Sequence, residues 1–572
     1  MRARNSDGGV TLRVIAGTHS ILLAMDLSDA ARAGCLGFSI ERTDVATGAK
    51  RWLPNMLRFK ADADAQNVTT ARAPLQRFRW GDYTTDPKTA YRYRAVPRYG
   101  APAEIIAAGV AAQAPGGDLP GGVSVDVITE DDTAPQSSVI FNRGAAASDA
   151  YVRKFGDQDP AVAAGAKAWL SRGLEEALLA FLAKAQGPGW SLHAAVYEFQ
   201  KPELLAGLKA AADRGAAVEV VYHARRTPAE ATSDAKAAQA GKPPASTVQK
   251  NRAAIAAAGL AFPLTPRDAD PQGAIMHDKY VVLHNAGQPV AVWTGSTNWT
   301  DGAIYGQLNV GHAVYDASIV AAYETSFQLL KLNQAETPTR AANLQNTPPP
   351  GKTRAAIAPG VTPILSPQAA LDMLDLYADV CGGAKLLMVS APFALHPKIM
   401  AALKSPAGND ILRFVMADTE KSFGKTGELA LMNRDPDFVG TVATLLNTPL
   451  NDFQGGLLEG KESFHHAGVH VHSKIIAADP LGDDPILITG SANFSNNSTT
   501  INDSNSLVFR GALPVTDIYV AEFMRMFEHY WFRFKQSQAP ADAPLGLKDD
   551  DSWSAPYFVA GSREERDRQS FA

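Results

Sequence analysis

Residues 277–299 read HDKYVVLHNAGQPVAVWTGSTNW, and residues 472–494 read HSKIIAADPLGDDPILITGSANF. The two segments share one frame. His277 and Lys279 fall on His472 and Lys474, and Gly295, Ser296 and Asn298 fall on Gly490, Ser491 and Asn493, all displaced by 195 residues. Pro202, which opens a helical pattern, maps at the same displacement onto Pro397, which opens another. Coincidence at this many positions identifies a duplication. The chain contains two copies of one half-domain, and each copy supplies one set of chemical groups.

In each copy His-x-Lys runs into an apolar strand-like segment, 280–283 or 475–478. Residues two apart in a strand share a face, so imidazole and ammonium lie side by side. Gly-Ser-x-Asn closes the next apolar segment, 290–294 or 486–489, and brings a hydroxyl and a carboxamide to a turn beside them. Imidazole attacks or protonates; ammonium and carboxamide hold anionic oxygens. Two such sets facing each other place two histidines, two lysines and two asparagines around one phosphate. That is a phosphoryl-transfer site stabilised by fixed donors, without a metal. A single His-x-Lys would carry nothing, since most such pairs sit on surface strands. Ser296 and Ser491 have two readings of equal weight, caps for a following helix or support for the phosphate.

His-x-Lys-x4-Asp followed by Gly-Ser-x-Asn, present twice, resembles the phospholipase D superfamily over residues 137–535. The resemblance implies two halves packed about a pseudo-twofold axis. It also implies that one histidine becomes a phosphohistidine, that the other protonates the departing alcohol, and that water or a second alcohol releases the phosphoryl group. By the same resemblance His277 is the nucleophile and His472 the acid. The chain departs from the pattern in two ways. Asp479 occupies the acidic position of the second motif, but His284 stands at that position in the first; the residue there is read as supporting, not reacting. Both gaps before Gly-Ser-x-Asn are long, which hairpins at 285–288 and 480–485 absorb. Family members often carry a carboxylate after the asparagine to orient a histidine. In the corresponding stretches, 306–309 and 502–505, Asp503 is the only carboxylate. It is expected to orient His277 if the halves cross over, or His472 if they do not.

Outward from the motifs, short β-branched or apolar segments at 11–16, 21–25, 37–42, 77–80, 91–96 and 123–128 predict a small sandwich. The stretch TAYRYRAVPRYG at 89–100 resembles the penultimate strand of fibronectin type III domains, and its arginines read as snorkelling side chains on an ordinary strand. AQAPGGDLPGG at 112–122 reads as a linker or long hairpin. From 137 strands and helices alternate, with helices at 173–185 and 202–214 and strands at 192–199 and 217–222. Polar residues 227–249 read as a surface excursion, and 337–352 as a break. The expected fold is α/β: two pseudo-twofold-related phospholipase D-like halves, each a β-sheet flanked by helices, preceded by a β-sandwich. Expected boundaries are 1–130 for the sandwich, 137–336 and 354–535 for the halves, and 536–572 for a tail wrapping the surface. Residues 523–534, FMRMFEHYWFRF, read as core and not as a grip for lipid tails.

Composition narrows the function classes. The 572 residues are 46% hydrophobic and 20% charged with net charge -5, which disfavours a general polyanion binder. Cys35 and Cys381 are the only cysteines, too few for a disulfide framework or a four-thiolate zinc site. His465, His466, His470 and His472 have chelating spacing, but His470 maps onto Ile275, so no metal and no cofactor is expected. No signal-peptide pattern and no apolar run of membrane length occurs. A cytoplasmic protein is favoured over one secreted without a classical signal. The expected substrate is a glycerophospholipid at a membrane surface or micelle, handled by a monomer, with head-group release or transfer to alcohols. The alternatives are a nuclease of the same superfamily, a cardiolipin-synthase-like transferase, and a non-catalytic binding scaffold. Glu198, at the end of a strand directed at the cleft, maps onto Phe393, and its role stays open.

Overall fold

A computed structural model of the chain, described over residues 1–66, 68–134, 138–156, 158–243, 246–269, 274–404, 411–443, 469–538 and 545–572, contains four sheets. The first eight strands are β1 (Arg2–Asp7), β2 (Val10–Ala16), β3 (Ile21–Leu27), β4 (Cys35–Asp44), β5 (Lys50–Trp52), β6 (Arg79–Asp82), β7 (Ala90–Tyr99) and β8 (Val123–Ile128). They form a sandwich of two four-stranded sheets, ordered β1-β2-β3-β6 and β5-β4-β7-β8. Period-two alternation turns Leu12, Val14, Leu23, Phe38, Ile40, Tyr91 and Tyr93 into its core. On β7, Arg92 pairs with Asp126, and Arg94 with Glu41 and Asp118. Those two arginines are therefore neutralised within the sandwich, while the buried Arg98 bonds Ser39 Oγ and the carbonyls of Ala71 and Ile105. Sequence reading missed β1, which has no apolar run, the three-residue β5, and the helix Pro102–Ala112 between β7 and β8.

Two seven-stranded sheets follow. The first uses β9 (Ser138–Phe141), β10 (Trp190–Val196), β11 (Ala217–His223), β12 (Leu264–Arg267), β13 (Lys279–Asn285), β14 (Gln288–Gly295) and β15 (Val310–Val314). The second uses β16 (Gly360–Ser366), β17 (Leu386–Ala391), β18 (Leu412–Ala417), β19 (Phe438–Val442), β20 (Ile475–Ala478), β21 (Ile486–Gly490) and β22 (Ser504–Arg510). Their orders are β12-β11-β10-β13-β14-β15-β9 and β16-β22-β21-β20-β17-β18-β19, the same succession entered from opposite edges. The duplication extends to register. Leu192 opposite Val218, Val281 opposite Trp293 and Thr294 opposite His312 recur as Leu387 opposite Arg413, Ile476 opposite Ile488 and Thr489 opposite Leu507.

The frame of 195 is lost at the edge strands and regained at the motifs. Helices Pro228–Gln239 and Thr247–Ala258 lengthen the connection from β11 to β12, whereas β18 reaches β19 through the short helix Glu428–Met432. The chain then runs from 267 to His277 in the first half but from 442 to His472 in the second. One long connection cancels the other.

Three expectations change. Residues 227–249 are mostly helical, because Thr227 and Glu230 make a capping box that starts a helix in a polar sequence. The supposed break at 337–352 is largely the helix Glu336–Asn346. Residues 545–572 do more than wrap the surface: Trp553 enters the sandwich core, its Nε1 donating to the Cys35 carbonyl at 2.7 Å, and Phe571 packs on Phe414 of the second sheet. The long helix Leu513–Gln538 buries Phe523, Met524, Met526, Phe527 and Tyr530 against both large sheets. On its polar side Glu522, fully buried, receives Ser20 from the sandwich, Arg172 from the first half and its own Arg525. Among the described residues no helix is long and apolar enough to cross a membrane.

Candidate active site

The two halves meet through their backbones at the motifs. The His277 amide donates to the Asp503 carbonyl at 2.7 Å, and the Asp503 amide donates to the Ile275 carbonyl at 3.1 Å. The other half repeats this: the Leu308 amide donates to the His470 carbonyl at 2.7 Å, and the His472 amide to the Leu308 carbonyl at 3.3 Å. Each histidine thus sits at the mouth of a central strand and is held by the opposite half. Their rings face across a centroid separation of 6.5 Å at 64°.

The remaining motif groups surround that gap. Lys279 donates to the His277 carbonyl at 2.5 Å and Lys474 to the His472 carbonyl at 2.6 Å, both ammonium groups buried. Lys474 Nζ also lies 3.2 Å from His472 Nε2. Asn298 and Asn493 each keep a buried Oδ1 without a protein partner. The motif glycines are steric necessities: a Cβ on Gly295 or Gly490 would lie 2.3 Å from the carbonyl of Val310 or Asn505, and their φ values are +149° and +148°. The hydroxyls of Ser296 and Ser491 accept the amides of Val310 at 3.1 Å and Asn505 at 3.0 Å, pinning the next strand.

The histidines differ in what orients them. Asn309 Nδ2 donates to the Ala303 carbonyl at 2.9 Å, so its Oδ1 faces the other way, accepting Ser296 Oγ at 2.8 Å and His472 Nδ1 at 2.9 Å. The proton of His472 is therefore on Nδ1 and its lone pair on Nε2. His277 lies against Tyr197, ring centroids 5.1 Å apart, and its buried Nδ1 has no hydrogen-bond partner.

Asp503 orients neither imidazole. Its carboxylate receives Arg267 through two bonds of 3.1 Å, with Arg225 at 3.6 Å, because a guanidinium buried this completely requires an anion. Asp479 stands at the far end of β20, where it accepts the amides of Lys385 and Leu386 and pairs with Arg354 at 2.5 Å. Its counterpart His284 faces Glu324 at 3.1 Å. His465 and His466 lie outside the described residues, while the backbone amide of His470 donates to Asp418 at 2.6 Å.

Sequence reasoning missed Asn309, whose stretch it had marked but searched only for a carboxylate. It also missed Asp278, which accepts Asn505 Nδ2 at 2.6 Å and so ties the first motif to the strand after the second. Glu198, whose role the sequence left open, holds Asn298 by a hydrogen bond and lies near both motif lysines.

Burial dominates the electrostatics. It pushes both imidazoles well below their ordinary value, with Lys279 and Lys474 adding to the effect. Burial also lowers Lys279 to about 7 and raises Asp278 to about 7. Glu198 is raised by burial against the pull of the lysines. Such a site gains protons when an anion enters it. Elsewhere burial lowers His223 and His312 to about 3, and His19 and His529 to about 4. Each would take up a proton near pH 6.5 in the unfolded chain but not in the fold. Stability present above pH 6.5 is therefore lost as pH falls, by about 1.4 kcal/mol per pH unit for each group. Urea midpoints measured from pH 7.5 down to 5 should fall steeply; a flat profile would contradict this.

Residues 178–331 match a family model described as cardiolipin synthase, PLD-like domain. No curated protein matches the chain. Among solved structures, polyphosphate kinase from Porphyromonas gingivalis aligns with 11% identity and a TM-score of 0.37, over 60% of this chain and 47% of that one. This chain thus spans about half the length of that kinase. The phospholipase D family member Nuc from Salmonella typhimurium aligns with 22% identity and a TM-score of 0.21, over 28% of this chain and 87% of that one. Phosphatidylserine synthase from Haemophilus influenzae Rd KW20 aligns with 10% identity and a TM-score of 0.40, over 63% and 85% respectively.

Proposed function

We propose, from the premise that this chain belongs to the phospholipase D superfamily, that its halves form one phosphodiester-cleaving site acting on glycerophospholipids. The observation that carries this is the meeting of both motif sets around one gap, with histidine rings 6.5 Å apart. Lys279, Lys474, Asn298 and Asn493 hold the non-bridging oxygens, so that developing charge meets fixed donors. His472 Nε2 attacks phosphorus, forming an N–P bond as the ester P–O bond breaks. His277 gives its proton to the departing oxygen. Water, or an alcohol, then returns a proton to His277 and displaces His472 from phosphorus. This assignment reverses the one implied by resemblance. It rests on the Asn309 bond, which holds His472 in the tautomer with an unprotonated Nε2, 3.2 Å from Lys474 Nζ.

Two features support a lipid substrate. Phe393, the counterpart of Glu198 across the pseudo-twofold, is 47% exposed and offers an apolar contact. The net charge of -5 gives no general attraction for nucleic acid. The test is paired: choline release from phosphatidylcholine micelles against nicking of plasmid, both in EDTA. Lipid cleavage that survives the chelator is expected. Nicking without lipid cleavage would favour the nuclease alternative, and complete, metal-restorable loss would overturn catalysis by fixed donors alone.

A further inference from the structure

A second cluster of imidazoles and carboxylate lies away from the paired motifs. His193 on β10, His284 on β13 and Glu324 on the helix Ala317–Lys331 converge, with one ligand atom from each lying within 4.8 Å of the others. His193 Nδ1 is 2.9 Å and His284 Nε2 3.1 Å from the same Glu324 oxygen, and the two imidazole centroids are 4.3 Å apart. The duplication does not account for this group: at the 195-residue displacement His193 becomes Met388 and His284 becomes Asp479. His284 Nδ1 is buried without a hydrogen-bond partner, so the ring is positioned through the nitrogen that faces the cluster.

The Glu324 carboxylate faces both rings. Among the described residues its ion-pair partners are the two imidazoles alone, and Gln328 adds a neutral hydrogen bond at 2.7 Å. Two imidazole nitrogens and one carboxylate oxygen on three rigid elements are a donor set for a borderline-soft divalent ion.

We propose that His193, His284 and Glu324 bind one divalent first-row transition ion, zinc being the ion tested. Water completes the coordination from the solvent side, where the His193 and Glu324 side chains remain 14% and 18% exposed. Tetrahedral zinc with bonds of about 2.0–2.1 Å separates its ligand atoms by about 3.3 Å; the two shorter separations here, 2.9 and 3.1 Å, lie slightly below that. The ion clamps β10 and β13 to the helix behind them. It stands at the end of β13 remote from Lys279 and takes no part in the chemistry.

The test uses the full chain, stripped with EDTA, freed of chelator and titrated with zinc chloride. One equivalent should remain bound after gel filtration, and the melting temperature should rise by about 2 °C or more at a hundredfold excess over the dissociation constant. Glu324→Gln and His284→Gln should weaken binding at least tenfold, Glu324→Gln with turnover at 25 °C unchanged. A His465→Ala/His466→Ala double variant should keep the ion. Should a cluster variant misfold, cobalt(II) added to wild type decides: intense visible bands of a tetrahedral nitrogen and oxygen site are expected. The spectrum of the aqueous ion, no bound zinc in wild type, undiminished binding in both cluster variants, or loss of all zinc in the double variant would each overturn the proposal.

Discussion

His472→Ala should lower turnover by about 10⁴-fold or more and carry no phosphohistidine, whereas His277→Ala, given a substrate with a good leaving group, should accumulate the adduct on residue 472. The magnitude follows from losing the covalent path, since removing a catalytic nucleophile or its base costs about 10⁴–10⁶ in turnover where the groups act as a unit. The asymmetry follows from geometry. Asn309 accepts the Nδ1 proton of His472 and leaves Nε2 unprotonated beside Lys474, while His277 Nδ1 has no hydrogen-bond partner among the described residues; each ring also bonds the backbone of the opposite half, at Ser296 and Ser491. An imidazole whose Nδ1 has no partner suits delivery of a proton to a leaving group, because protonation removes the tautomer question. A good leaving group needs no such proton, so His277→Ala should still be labelled, and then stall without the residue that takes a proton from water. Quenched mixtures analysed by mass spectrometry locate the adduct. Label on residue 277 in His472→Ala would restore the assignment implied by resemblance and leave the reaction class intact.

The paired motifs and their meeting were legible because strand entry, glycine turn and lysine spacing recur in one frame, and that frame carries the register of five strands in each sheet. The frame survived by cancellation. The long helical connection after β11 and the long stretch before His472 differ in opposite senses, so constant spacing concealed real divergence between the halves. What stayed hidden depended on contacts between positions far apart in the chain. Asn309 reaches His472 across 163 residues, and Asp278 reaches Asn505 across 227. Neither has a local signature. Asp503 was misread for a related reason. A carboxylate in a motif neighbourhood suggests an imidazole partner, but the buried cation competing for it, Arg267, comes from the short edge strand β12, where the repeat frame is broken.

Asp503→Ala should therefore act first on stability. Arg267 is fully buried and Asp503 is 1% exposed, so deleting the carboxylate strands a guanidinium away from water. Breaking a buried pair from one side typically costs about 3–5 kcal/mol. The loss should far exceed that of an exposed, solvent-screened pair such as Arg92 with Asp126. Asp503→Asn keeps the shape and the backbone bonds to Ile275 and His277, and so isolates the charge; most of the penalty should persist. Arg267→Met combined with Asp503→Leu should recover much of it, because apolar side chains of similar volume carry no desolvation cost. The measurement is urea unfolding at pH 7.5 for the single and double variants, read beside pH profiles of turnover. If Asp503→Asn left the urea midpoint unchanged and moved the pH profile of turnover instead, the carboxylate would be serving a catalytic histidine after all. If the midpoint falls and the profile of the residual folded enzyme keeps its shape, Asp503 acts by holding β12 against the strand that carries the His277 backbone. The electrostatics of the reaction then belong to the lysines, the asparagines and Asn309.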